Sequence, residues 1–206
     1  MTKIDHIVFD VGQVLIHWDP ELIYLDIIPD KAERQHFLTE ICSPDWNMEQ
    51  DRGRDWGEAE DLLIADHPDK ADLIRAYRID WMKSVPHAHD DIAQLYDRLI
   101  SSGHDVTLLT NFNQHTFVDA QERFDFLTHA RGETVSGLVK LIKPDPTIYA
   151  HHTSAHDLSP ANTLFIDDSP DNIASARQFG WQAVHFAGRE GAAKLAAALA
   201  EHGVEV

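Results

Sequence analysis

Sulfur, positive charge and long apolar runs are all scarce in this chain. Cys42 is the single cysteine in 206 residues, which excludes a disulfide framework and a cysteine-based zinc cluster. Lys and Arg number 17 against 35 Asp and Glu, a formal charge of −18. An acidic surface repels nucleic acid and anionic lipid, so neither is an expected partner. No apolar run approaches the roughly 20 residues of a membrane span, and Asp5 and His6 interrupt any signal-peptide core at the start. A cytoplasmic protein is the expectation. There is no internal repeat or low-complexity segment. What is present is ordinary for a globular fold, with 43% hydrophobic and 25% charged residues. The length fits one domain carrying an insertion, and buries a core without staples.

Strand and helix patterns alternate along the chain. Ile4–Phe9 is a β-branched run ending in Asp10 and Gly12. Val106–Leu109 ends in Thr110–Asn111, Thr163–Ile166 ends in Asp167–Asp168, and Gln182–Phe186 is a fourth run. Between them, Asp90–Ser101 sets Ile92, Leu95, Leu99 and Ile100 on one helical face and stops at Gly103. Pro170–Phe179 does the same with Ile173, Ala176 and Phe179 and stops at Gly180. Gly188–Gly203 reads as a terminal helix. Strands separated by helices predict an α/β fold, a Rossmann-like parallel sheet core with helices on both faces. Residues 17–85 differ, with helical stretches at Lys31–Ile41, Glu58–Ala65 and Lys70–Lys83 punctuated by Pro20, Pro44, Pro68 and Pro86. The expected organisation is a core of residues 1–16 and 86–206 with an inserted all-helical cap at 17–85.

Parallel sheets bind ligands outside the carboxyl ends of their strands. Asp10, Thr110–Asn111 and Asp167–Asp168 follow three strand ends, and Lys143-Pro144-Asp145-Pro146 opens a helix predicted at Thr147–His156. Three carboxylates gathered at one edge repel unless a cation lies between them, and hard oxygen donors suit Mg²⁺. A lysine there holds an anionic group as a point charge. A hydroxyl such as that of Thr110 donates to a phosphate oxygen. An aspartate beside a metal and a phosphoryl group is a feasible nucleophile. Each residue alone has a plainer reading: Asp10 as a turn cap, Asp168 as a helix cap before Pro170, Thr110 as a strand end, Lys143 as a surface lysine. Their joint placement favours chemistry.

FDVGQVL at Phe9–Leu15, LLTNFN at Leu108–Asn113, KPDPTIY at Lys143–Tyr149 and FIDDSPDNIASARQFG at Phe165–Gly180 resemble, in order, the four motifs of the haloacid dehalogenase superfamily. The nearest likeness is to small sugar-phosphate phosphatases with a D-x-G-N-V first motif. The resemblance implies a Mg²⁺-dependent phosphatase acting on a small phosphorylated metabolite through an aspartyl-phosphate. It makes Asp10 the nucleophile and a metal ligand, with the Gly12 carbonyl, Asp168 and Asp167 completing the metal set. Thr110 and the Asn111 amide bind phosphoryl oxygens, Lys143 pairs with nucleophile and phosphoryl group, and Asp171 or Asn172 supports the last loop. It also implies that the helical insertion is the cap. Monomer and homodimer are both compatible with the sequence.

One position departs from the family pattern. Most phosphatases of this superfamily carry a second aspartate two residues after the nucleophile, as general acid and base, and Gly12 stands there. Three explanations compete: a cap residue or water with His17 and Asp19 nearest in sequence, a leaving group that needs little help, or loss of catalysis. A 2-haloacid dehalogenase is a second reading, disfavoured by the Asp167–Asp168 pair because that chemistry needs no metal. Arg52 and Arg54 are candidates to reach the substrate from the cap, and Trp46 and Trp56 are candidates to line a sugar pocket or simply to pack. His151, His152 and His156 make no metal motif, and His87 and His89 read as the approach to a helix cap.

Overall fold

The computed structural model describes residues 3–206. Five parallel strands form one sheet in the order β3-β2-β1-β4-β5, with β1 at His6–Phe9, β2 at Asp105–Thr110, β3 at Glu133–Val135, β4 at Thr163–Asp167 and β5 at Gln182–His185. The α/β class and the four expected strands stand. The three-residue edge strand β3 is an addition.

Side-chain alternation covers both faces of the sheet, as parallel sheets require. Ile7 and Phe9 of β1, Val106 and Leu108 of β2, and Leu164 and Ile166 of β4 join one core cluster. Val8, Leu109 and Phe165 point the other way into a second. The helices Asp90–Ser101 and Ala192–Glu201 cover the first face, while Pro146–Ala155 and Pro170–Phe179 cover the second. The helix Pro170–Phe179 ends on Gly180 at φ 108°, a left-handed cap that costs other residues strain. The terminal helix is shorter than its sequence pattern: Gly191 breaks it from a 3₁₀ turn at Gly188–Glu190.

Between β1 and β2 the described residues from Glu21 to Ser84 contain helices and no strand. They enclose their own apolar cluster of Ile23, Tyr24, Phe37, Ile41, Trp56, Ile74 and Tyr77. Two extended segments lead in and out side by side. The N–H of His17 donates to His87 O at 3.0 Å, that of Asp19 to Ser84 O at 2.8 Å, and that of His89 to Leu15 O at 2.9 Å. His17 and His87 stack along this connection, with His89 edge-on to both.

Candidate functional site

Register brings the acidic residues together. β1 lies between β2 and β4, with Phe9 level with both Leu108 and Ile166. The next residues along, Asp10 and Asp167, therefore emerge side by side, and the Asp10 N–H donates to Ile166 O at 2.9 Å. Carboxylate oxygens of Asp10, Asp167 and Asp168 all lie within 4.8 Å of one another.

Lys143 is the counter-charge. Its ammonium is 2.8 Å from Asp10 Oδ1 and 2.7 Å from Asp167 Oδ2, and it donates to Leu109 O at 3.0 Å. It is only 2% exposed. A buried lysine without partners would lose its proton. Burial does pull its pKa down, but Asp10 and Asp167 outweigh that and hold it above the ordinary value. The loop that carries it is clamped to the end of β2: Asn111 Nδ2 donates to Lys143 O and Lys143 N–H to Asn111 Oδ1, both at 2.9 Å.

The two adjacent aspartates divide in role: Asp167 is the last residue of β4 and Asp168 the first beyond it. Asp167 is fully buried and saturated, accepting from Lys143, from Ser169 N–H at 2.8 Å and from Asn172 Nδ2 at 3.0 and 3.1 Å. Asp168 opens onto the cavity instead. Desolvation, then the neighbouring Asp167 charge, raises its pKa. Asp10 accepts the Val11 N–H through Oδ1 at 2.7 Å. Among the described residues its other oxygen has no hydrogen-bond partner, and Asp10 faces the same cavity. Desolvation pushes its pKa up to about 7, with Lys143 opposing and Asp167 and Asp168 adding to the rise. The site thus carries more negative charge than one ammonium neutralises. Oxygen donors about 2.1 Å from a shared Mg²⁺ lie up to about 4.2 Å apart, so these carboxylates fit such an ion with small side-chain rotations.

The cavity encloses about 280 Å³. Asp10, Gly12, Asn111 and Asp168 line one side; Trp18, Asn47, Met48, Asp51, Trp56 and Trp81 contribute much of the other. Helix Pro44–Asp51 is pinned there: Asn113 Nδ2 donates to Gln50 O at 3.0 Å and Ser136 Oγ to Asp51 O at 2.5 Å. Gly53 follows at φ 94°, and a Cβ there would overlap the carbonyl of Gly137. At Gly12, by contrast, a Cβ would meet nothing within 4 Å. The next residue, Gln13, sits at φ 58° and ties back through Nε2 to Trp18 O at 2.7 Å. A non-glycine residue in this conformation is a strained turn of the kind that clusters at functional sites.

Several sequence candidates lie elsewhere. Thr110 ends β2 at 1% exposure and does not line the cavity. Asn172 braces Asp167, while Asp171 is exposed. His17 and Asp19 are outside the cavity wall; His17 stacks on His87, and Asp19 caps Glu21. Arg52 and Arg54 do not line it either; Arg54 bonds back to Gln50 and Trp46 of the helix Pro44–Asp51. Trp56 reaches the cavity, but Trp46 packs against Trp56 and Tyr77. His152 is a core residue between two threonine hydroxyls, Thr107 at 2.9 Å and Thr134 at 2.8 Å. Asp51 and Asn47 were not singled out by sequence, because no motif surrounds them.

The sequence pattern of the haloacid dehalogenase-like hydrolases matches residues 4–180. The chain belongs to this hydrolase family. Solved structures share the fold. A HAD family enzyme of Bacteroides thetaiotaomicron, solved as a magnesium complex, shares 19% identity at a TM-score of 0.75, over 94% of this chain and 98% of that one. A predicted HAD-like hydrolase from Porphyromonas gingivalis shares 22% at 0.71, over 91% and 93%. The L-2-haloacid dehalogenase of Xanthobacter autotrophicus shares 18% at 0.60, over 87% and 76%. The acidic cluster of this hydrolase is of the kind that holds a divalent cation. Among its described residues no helix is long and apolar enough to cross a membrane.

Proposed function

We propose that this hydrolase is a Mg²⁺-dependent phosphatase acting on a small phosphomonoester, a sugar phosphate being one such ester, through an aspartyl-phosphate on Asp10. The carrying observation is the meeting of Asp10, Asp167 and Asp168 around the buried Lys143 at the cavity wall. Asp10, Asp168 and the Gly12 carbonyl would hold the ion, with Asp167 fixing Lys143 behind them. Bound Mg²⁺ supplies charge neutralisation on the phosphoryl oxygens. Asp10 presents its unpaired oxygen to phosphorus, and Lys143 pulls that carboxylate toward its ionised form and offsets charge on the phosphoryl group. The Asn111 amide completes the phosphoryl cradle at the cavity wall, with Thr110 just behind it at the end of β2. Residues 17–85 serve as a cap over a core of 1–16 and 86–206, excluding bulk water from the reaction.

The test is phosphate release from a panel of small phosphoesters, with and without Mg²⁺. Wild type should need the ion, and Asp10→Asn should be inactive while keeping its fold by circular dichroism. Equal rates for wild type and Asp10→Asn would remove Asp10 as nucleophile. Turnover of a 2-haloacid that survives EDTA, with no phosphate released from any ester, would replace this reading with dehalogenation.

A further inference from the structure

An alkoxide is a poor leaving group, so cleaving the ester of an ordinary alcohol requires a proton at the departing oxygen. Gly12 offers none. Lys143 is held between two carboxylates and behind the cavity wall. The cavity is lined by three carboxyl groups, those of Asp10, Asp51 and Asp168. Asp10 is the nucleophile in the reading above, on which this inference rests, and Asp168 belongs to the metal set. Asp51 is left.

We propose that Asp51 is the proton donor to the leaving group, and that the substrate is the phosphate ester of an uncharged alcohol seated against the tryptophan wall. Three observations carry this. Asp51 lines the cavity from the helix Pro44–Asp51, away from the β1 and β4 strand ends that carry Asp10 and Asp168. It is anchored: its carbonyl accepts from Ser136 Oγ at 2.5 Å and its Oδ2 from Asn47 Nδ2 at 2.8 Å. No Lys, Arg or His lines the cavity among the described residues, so Asp51 has no cation there to ionise it and an anionic leaving group has no partner, while the carboxyls a cationic one would need are engaged as nucleophile, metal ligand and neutral acid. In support, burial pushes the Asp51 carboxyl up to about 8, against the opposing hydrogen bonds from Asn113 and Asn47. A carboxylic acid kept neutral near pH 7 is the form a general acid needs.

The step balances. Asp10 forms a bond to phosphorus, the bond from phosphorus to the alcohol oxygen breaks, and its electron pair stays on that oxygen. The oxygen takes the proton of Asp51, and alcohol leaves. Water then attacks phosphorus, passes one proton to the Asp51 carboxylate, and frees phosphate and Asp10. Asp51 ends protonated, as it began.

The experiment compares kcat/KM on p-nitrophenyl phosphate, whose leaving group departs without a proton, and on an alkyl phosphate such as glycerol 2-phosphate. Wild type, Asp51→Asn and Asp10→Asn are assayed with Mg²⁺. Asp51→Asn should lose about 10²–10⁴-fold on the alkyl ester, the usual worth of general acid help, and less than about 10-fold on the aryl ester. The ratio is taken within one preparation, so partial unfolding cancels. Asp51→Ala replaces the amide variant if the latter does not fold, with the same ratio expected. Equal losses on both esters, or none on either, would overturn the role of Asp51 while leaving the phosphatase reading intact. Absence of Asp10-dependent turnover in wild type would overturn that reading, and this one with it.

Discussion

Replacing Lys143 by methionine tests the electrostatics of the site without any substrate. The change keeps most of the side-chain volume and removes one charge that lies 2.8 Å from Asp10 and 2.7 Å from Asp167, with side chains 1%, 10% and 0% exposed. Each contact is worth on the order of 6 kcal/mol at an effective dielectric near 20. Most of that is spent on desolvating the ammonium. What the variant loses is the compensation for two buried carboxylates, typically about 3–5 kcal/mol. The size of the loss should depend on pH. Asp10 already has a raised pKa, and removing the lysine raises it further. A carboxyl whose native pKa lies above its unfolded value stabilises the fold when protonated and loses that contribution as pH climbs through the native value. The variant escapes more of its penalty at pH 5, by protonating Asp10, than at pH 8, where that proton is harder to keep. Urea unfolding in EDTA at both pH values measures the gap. Lys194→Met is the control, since that lysine is 62% exposed beside Glu190 and should change stability by less than about 0.5 kcal/mol. A Lys143→Met penalty below about 1 kcal/mol at pH 8, or one that is flat from pH 5 to 8, would refute the account of Lys143 as a structural counter-charge.

Other perturbations have equally definite outcomes. Burial, then the neighbouring His156 and His151, holds the His152 imidazole down at about 2, while the unfolded chain takes up a proton below about 6.5. Acid therefore favours the unfolded state, and between pH 7.5 and 5 His152 alone should cost about 2 kcal/mol; His152→Asn should flatten the acid limb of the stability curve, and an unchanged limb would contradict it. Gly12→Ala should fold at least as well as wild type, gaining up to about 1 kcal/mol from a less flexible unfolded chain, because its Cβ meets nothing; a lower Tm would show hidden crowding. Gly53→Ala should lose about 2–4 kcal/mol, from a φ of 94° and the overlap with Gly137, and native stability in urea would count against close docking of this segment. Mg²⁺ should raise the Tm of wild type more than that of Asp168→Asn; equal shifts would place the ion elsewhere.

The strands and core helices were legible because their signals are local. Gly180 stops its helix in the left-handed conformation that its position after Phe179 implied, and Asp90–Ser101 has the bounds its apolar spacing gave. β3 was missed because three residues at a sheet edge leave no period to read, and its one buried pairing partner, Leu108–Thr110, lies far back in sequence. Within the insertion, Lys31–Ile41 was read as one helix, but it loosens into a π turn at Phe37–Ile41. Periodicity of 3.6 residues cannot register a change of hydrogen-bond ring.

At the site, the sequence supplied the residues of the strand ends but not how adjacent ones divide the work. Asp167 and Asp168 are the same residue type side by side. Only the end of β4 separates them, with one in a nest of Lys143, Ser169 and Asn172 and the other at the cavity. Asp51 was illegible for a different reason. Nothing in EQDRGRD distinguishes it from the two other acids in that stretch. Its place is set by contacts made far away in sequence, where Asn113 and Ser136, just past the ends of β2 and β3, grip the backbone of Gln50 and Asp51. A carboxylate that strand order delivers to a site is visible as a motif. One delivered by docking a helix on distant segments is visible only when both partners are seen together. The proton donor that His17 and Asp19 were considered for, by nearness in sequence, is better sought across the cavity, where the helical segment meets the sheet.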